Sequence, residues 1–506
     1  MMGTALEVLD NSIVNVALPH LQGSFSASID EISWVVTSYF AANGIMIPMT
    51  GWIAARFGRK RYFMFSVLLF VVASALCGAA RSLDQMVVFR LLQGVAGAAM
   101  VPLSQAILME TFPPREQQMA MATWGMGVMV VPIMGPTLGG WITENWNWRW
   151  NFYINIPIGV IALLMVSAFV HDPSYLRQRR EGRGNVDYFG MAMLVLGLGL
   201  LQVVLDRGQR ADWFDSAWVV YATTIAVAAI VLLVIQELRF GDPIVDLRIL
   251  KSPDFTFSML LIVAMSSVLF GTGLLGPVFL QEHLGYDAWS AGLTLAPRGL
   301  GTMVSMFLVG QLARTGFDTR PLIGLGFVLM AFSLWTMGHW NLQVSTWAVV
   351  WPSTVMGFAM GMIFPTLSAA TLSYVPRERM GYASSLYSMM RTVGAAVGIA
   401  YLTNVLVSHQ QTHQARLVEH FTAFDAWRMS QTAPPMPGAL QFYYLPEIVT
   451  GQKQGIAGIY GMIQAQAAML SYNDIYRTLA FFMMFLVPAF LLLRRVQQRA
   501  GDAPAH

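Results

Sequence analysis

Apolar stretches of roughly 20 residues recur along this chain from end to end, separated by short polar joints. A helix rises about 1.5 Å per residue, so a stretch of that length spans the ~30 Å hydrocarbon core of a bilayer. The pattern predicts fourteen spans, at 2–21, 33–53, 62–80, 86–110, 119–142, 151–170, 188–205, 216–236, 256–278, 290–312, 320–338, 345–372, 381–406 and 476–493. Backbone in lipid must satisfy its own hydrogen bonds, which makes repeated spans of this kind a helical bundle. The expected fold class is an all-α integral membrane protein with about 14 transmembrane helices.

The chain echoes itself. Gly94 and Gly357 each precede a proline by eight residues, Pro102 and Pro365; Pro113 and Pro376 follow eleven residues later, then Arg115-Glu116 and Arg377-Glu378. A second echo links Gly51, Ala54, Arg56 and Gly58 with Gly310, Ala313, Arg314 and Gly316. Duplication of this kind predicts two six-helix halves, with two helices inserted between them and a central cavity at their interface. Residues 1–171 are the expected N-terminal half, 172–255 hold cytoplasmic linkers and the two inserted helices, and 256–494 are the C-terminal half with an outer, periplasmic insert at 408–475. Residues 495–506 form a cytoplasmic tail.

Composition agrees with this: 56% of the 506 residues are hydrophobic and 11% charged, and the mean hydropathy is +0.55. No soluble core accounts for so much apolar surface. The net charge of +3 matters less than its placement. Arg56, Arg59, Lys60 and Arg61, then Arg177, Arg179, Arg180 and Arg183, then Arg239, Arg248 and Lys251, Arg314 and Arg320, Arg377 and Arg379, and finally Arg494, Arg495 and Arg499 fall in alternate joints. The positive-inside bias puts these joints and both termini in the cytoplasm. The single cysteine, Cys77, lies inside a span and reads as a small core residue. Residues 1–21 lack the basic start and small-residue cleavage site of a signal peptide.

The stretch GWIAARFGRKR (Gly51 to Arg61) resembles the cytoplasmic loop signature of the major facilitator superfamily, with Ala55 where many members carry aspartate. RLLQGVAGA (Arg90 to Ala98) resembles its membrane-arginine motif, and MGPTLGGW (Met134 to Trp141) the antiporter motif of its exporters. LDNSIVNVALP (Leu9 to Pro19) and WNWRWNFYINIPIG (Trp146 to Gly159) resemble signatures of the fourteen-helix drug:proton antiporters. The outer segments HQQTHQARLVEHF (His409 to Phe421) and IQAQAAMLSYNDIY (Ile463 to Tyr476) resemble the EmrB branch of that family. The resemblance implies the major facilitator fold and a proton-coupled exporter of hydrophobic or cationic drugs in the bacterial inner membrane. It also implies a periplasmic membrane-fusion adaptor of the EmrA type, and a TolC-type outer-membrane channel beyond it. Related exporters usually have a cytoplasmic lead before the first helix, and this sequence opens inside that helix.

Within this frame Gly51, Arg56, Gly58 and Arg59 form a tight basic latch, although setting topology alone is the other reading of that loop. Gly135, Pro136, Gly139 and Gly140 give a close-packing, bendable helix. Glu7 and Asp10 are three apart and share a helix face, with Asp10 roughly 15 Å from the helix start. An isolated charge there costs on the order of 3 kcal/mol or more, and protonation removes that cost. Proton and cationic substrate then compete for Asp10, with Glu7 beside it and Arg90 as counter-ion; a structural Asp–Arg clasp is the alternative. Arg298 and Arg391 are further intramembrane cations, serving structure or coupling. Asn15, Trp34, Tyr39, Asn43, Gln93, Phe364 and Tyr387 are the substrate-binding candidates, and 34 methionines suit a cavity that adapts to varied ligands. His409 and His413 have metal-ligand spacing without a third ligand nearby, so no metal site is expected.

The expected partners are protons, small hydrophobic substrates and lipid, with no cofactor and no nucleic acid. Export of one dedicated metabolite, such as a siderophore or a self-made antibiotic, would carry the same coupling motifs. A passive channel would not need acids in the first helix, and a membrane receptor would carry a signalling domain. The chain has no G-x-x-x-x-G-K-[ST] loop for ATP and no hydrolase motif, so it reads as a secondary transporter, not an enzyme.

Overall fold

The computed structural model describes residues 1–173, 186–373, 375–419 and 451–492, except the side chains of 15, 29–30, 114–115, 130, 132–133, 136–137, 288 and 451–459. Arg177, Arg179, Arg180, Arg183, the Pro434-Pro435-x-Pro437 break in the insert, and the end of the chain with Arg494, Arg495 and Arg499 lie outside the described residues.

Among the described residues every regular element is helical. These are α1 (Met2–Phe25), α2 (Ile29–Met46), α3 (Thr50–Phe57), α4 (Arg59–Ala79), α5 (Leu83–Gly97), α6 (Met100–Thr111), α7 (Pro114–Asn145), α8 (Trp150–Tyr153) and α9 (Asn155–Phe169). They continue with α10 (Tyr188–Arg207), α11 (Ala217–Arg239), α12 (Pro253–Val278), α13 (Ala288–Arg314), α14 (Arg320–Met337), α15 (Thr346–Ser373), α16 (Met380–Glu419) and α17 (Gly451–Phe485). The pairs α2/α3, α5/α6 and α8/α9 each continue one another, so the described helices form fourteen rods, and each expected span falls on one of them. Among the described residues, eleven rods are long and apolar enough to cross a membrane, twelve with the bent α2/α3 pair. The other two are α1, which carries Glu7 and Asp10, and α7, several of whose side chains lie outside the described residues.

The breaks have local causes. Pro48 lies where α2 and α3 meet at 58°, lacking the N–H that would continue the ladder. Pro102 cannot donate to the Ala98 carbonyl, where α5 gives way to α6. Two helix ends differ from expectation: α16 runs to Glu419, not 406, and α17 begins at Gly451, not 476. Hydropathy marks where a helix leaves lipid, whereas backbone hydrogen bonding stops only at a breaker, and residues 399–419 contain no glycine or proline.

Helices α13 and α14 pack along α15, α12 along α16, α2 along α5 and α1 along α7. Early and late parts of the chain meet where α7 packs on α13 and where α3 and α6 pack on α16. A Cβ at Gly51 would lie 2.7 Å from the Gly381 carbonyl oxygen and the Tyr382 Cα, so glycine lets α3 press onto the start of α16. Gln118 donates to Thr366 at 2.9 Å, Thr319 to Gln118 at 3.1 Å and Ser388 to Gln105 at 3.3 Å. These contacts all lie toward the end of the bundle that carries the basic joints. Two of those joints turn on glycines with positive φ, Gly58 at 98° and Gly316 at 82°.

Helix α10 packs on α2 and α11. Its last turn grips α2 through polar contacts: Thr37 donates to Asp206, Arg207 donates to Ser33 at 2.8 Å, and the Arg207 guanidinium lies 4.3 Å from the Trp34 ring centroid.

Candidate functional site

Asp10 is fully buried and accepts three hydrogen bonds from polar side chains on two other rods, through α5 and α9. Arg90 Nη1 reaches Oδ2 at 2.6 Å, while Gln93 Nε2 at 2.8 Å and Asn155 Nδ2 at 2.7 Å reach Oδ1. Arg90 and Gln93 are three apart on α5 and so share a face; Arg90 also donates to Gln93 Oε1 at 2.8 Å and to the Val35 carbonyl at 3.1 Å. Its guanidinium lies 4.3 Å from the centroid of Tyr39. Asn155 additionally donates to Ser74 at 3.0 Å, and Ser74 to the Phe152 carbonyl at 2.8 Å. An ion pair taken out of solvent holds only if geometry is good and the spare lone pairs are used, and here both Asp10 oxygens are used.

Glu7, one turn toward the start of α1, is placed differently. It is also buried, but it takes one hydrogen bond, from Asn43 Nδ2 to Oε1 at 3.1 Å. Its Oε2 is buried with no hydrogen-bond partner. The charged groups within electrostatic reach are Asp10 and, from α16 in the late part of the chain, Arg391. Arg391 lies in turn near Tyr387, whose hydroxyl is 2.5 Å from Ser368 Oγ.

Sequence reasoning thus named Glu7, Asp10, Arg90, Tyr39, Asn43 and Gln93, and the structure brings these together; it missed Asn155 and Ser74. Asn155 lies within the stretch Trp146 to Gly159, where two further asparagines, Asn147 and Asn151, carry an equal signal; only the fold shows which of them faces Asp10. The remaining substrate candidates are scattered. Phe364 stacks on Trp124, with centroids 6.1 Å apart and planes 15° apart, where α7 meets α15. Trp34 is capped by Arg207 on the α10 side, and the Asn15 side chain lies outside the described residues. Arg298 is held by weak contacts to the Leu269 carbonyl, Thr272 and the Met360 sulfur, at 3.4–3.6 Å.

The motif residues occupy packing and latching positions. Gly135 abuts Ser12, Gly139 lies against Ile13 and Gly140 near Val16, so that α7 and α1 are in close contact; the Pro136 side chain lies outside the described residues. Arg59 forms a bidentate pair with Glu110, at 2.6 and 2.9 Å, tying the start of α4 to the end of α6. Arg56 lies 5.5 Å from the Trp52 ring centroid.

A sequence profile of the Major Facilitator Superfamily matches residues 1–399. The multidrug export protein EmrB of Escherichia coli K12 is 36% identical over 477 residues, covering 94% of this chain and 90% of that protein. The fatty acid resistance protein FarB of Neisseria gonorrhoeae is 34% identical, covering 96% of this chain and 92% of that protein. The fold is shared with the proton:xylose symporter XylE, with a TM-score of 0.59 at 14% identity, over 98% of this chain and 95% of that one. The human organic anion transporter MFSD10 gives 0.60 at 14% identity over 95% and 97%. With the profile spanning most of its length and EmrB-type relatives matching nearly all of it, this chain belongs to the major facilitator superfamily, as a multi-pass membrane transporter of the EmrB group.

Proposed function

We propose that the chain exports small hydrophobic or cationic compounds in exchange for protons, with Glu7 as the proton-carrying group and Asp10 as a fixed member of the scaffold. The observation that carries this is the contrast between the two acids: Asp10 spends both oxygens on Arg90, Gln93 and Asn155, whereas Glu7 keeps one buried oxygen unpartnered. A group that binds and releases protons needs a site where neither form is locked, and Glu7 has it. Ionised Glu7 faces Arg391 across the two parts of the chain; protonated Glu7 loses that attraction. Protonation therefore favours separation of α1 from α16, and deprotonation favours their approach. A bound cation competes with the proton for the same carboxylate, which couples the two fluxes in opposite directions.

The functions of the relatives, multidrug export and fatty acid resistance, support a hydrophobic substrate class. In this reading the basic end faces the cytoplasm, the membrane is the bacterial inner membrane, residues 1–171 and 256–494 rock about the cavity as two halves, and residues 408–475 meet a periplasmic adaptor leading to an outer-membrane channel. The test is efflux of a lipophilic cationic dye from proteoliposomes under an imposed pH gradient. Glu7→Gln is expected to abolish gradient-driven efflux and to weaken binding of the cationic dye, because the carboxylate that the cation and the proton share is gone. Efflux that continues undiminished in Glu7→Gln moves the proton site elsewhere and overturns the assignment.

A further inference from the structure

His409 and His413 lie one turn apart on α16, and the fold supplies the third donor that the sequence did not reveal. Asp474 on α17 sits against both: its Oδ2 is 2.8 Å from His413 Nε2 and 3.4 Å from His409 Nδ1. The histidine ring centroids are 6.2 Å apart at 80°, and one donor atom from each of the three residues lies within 4.8 Å of the others. Tetrahedral zinc holds imidazole nitrogen and carboxylate oxygen at about 2.0–2.2 Å, which places its ligand atoms roughly 3.3–3.6 Å apart. The His409–Asp474 separation already has that value, and the other two donor pairs lie within 4.8 Å of one another. His409 Nδ1 is buried without a hydrogen-bond partner, so no other group among the described residues competes for this nitrogen.

We propose that His409, His413 and Asp474 form a binding site for a divalent cation of the zinc class, with water completing the coordination. Two imidazoles and one carboxylate suit zinc, cobalt or nickel; calcium and magnesium take oxygen ligands instead. The histidines lie beyond the apolar part of α16 that ends near residue 406, and all three side chains are partly exposed, so the ion reaches them from water. Bound there, it staples α16 to α17, the two helices between which residues 420–450 run. The proposal stands apart from the export mechanism, since none of the three residues belongs to the Glu7 and Asp10 site.

The test uses the full-length, tag-free chain in nanodiscs after chelator treatment, titrated with cobalt(II) and then with zinc. The expected result is one cobalt per chain with visible absorption bands of tetrahedral intensity, displacement of cobalt by zinc, and a metal-dependent rise in Tm. His413→Gln and His409→Gln are each expected to weaken binding by at least about the 10–100-fold that outer-shell partners of metal ligands carry. Their metal-free Tm and elution volume report whether they fold. Should either fail to fold, Asp474→Asn gives the same readout from the neighbouring helix. Absence of a stoichiometric cobalt spectrum in the wild type, or a spectrum that survives both histidine substitutions, overturns the site.

Discussion

A carboxylate and a guanidinium buried together hold only while both are present. Removing one leaves the other charged, desolvated and unpaired, at a cost of about 3–5 kcal/mol, whereas replacing both with apolar residues is often close to neutral. Asp10→Leu and Arg90→Leu are therefore each expected to destabilise the protein by that amount. The double variant should recover most of the loss, as read by thermal unfolding in nanodiscs and compared through a double-mutant cycle. Additive losses would show that the pair is not the clasp its 2.6 Å geometry makes it. Glu7→Gln should behave oppositely: with Oε2 unpartnered, little structural bonding is lost, so Tm is expected to stay within a few degrees of wild type while coupled efflux fails. At this scale the sequence was legible wherever a charge stood inside an apolar span, because such a charge needs a reason. It was less legible for neutral polar groups such as Ser74 and Asn155, which sit in membranes cheaply and for many purposes, and it could not separate the roles of Glu7 and Asp10, since spacing shows a shared face and not the partners on it.

The helices were legible from apolar length, and their breaks from proline, but the ends of α16 and α17 were not, and with them went the contact between His413 and Asp474. Close approach between elements is written in glycine, though which glycine matters depends on the partner. Gly51 meets backbone of α16, which cannot move aside as a flexible side chain can, whereas a Cβ at Gly127 on α7 would meet nothing within 4 Å. Gly51→Val is expected to hold α3 away from α16, abolishing transport while the protein still inserts and folds. Gly127→Ala should transport normally, apart from the small helix-propensity gain of alanine, up to about 1 kcal/mol. Dye efflux normalised to protein level checks both, and wild-type efflux by Gly51→Val would remove the tight α3–α16 contact from the transport cycle.

For the molecule as a whole, the contacts between early and late parts of the chain sit toward the end carrying the basic joints: Gly51 on Gly381, Gln105 with Ser388, and Gln118 with Thr366 and Thr319. A transporter that alternates must break these contacts to open that end, so they should be made in one state and lost in the other. The sequence announced the repeat that builds such an interface but not which state the chain adopts, because both states use the same residues. A cross-link tests the difference directly. With the single cysteine removed as Cys77→Ala, Gln105→Cys and Ser388→Cys together are expected to react with a short bifunctional thiosulfonate in high yield without substrate. A substrate that favours opening at the basic end should reduce the yield severalfold, since each tenfold change in the population ratio needs only about 1.4 kcal/mol of differential binding. Protonation of Glu7 enters the same balance: if it loosens α1 from Arg391, Glu7→Gln should shift the cross-linking yield even without a gradient. A yield indifferent to both substrate and Glu7→Gln would mean that the closed basic end is a fixed part of the scaffold, and that the moving interface lies elsewhere in the bundle.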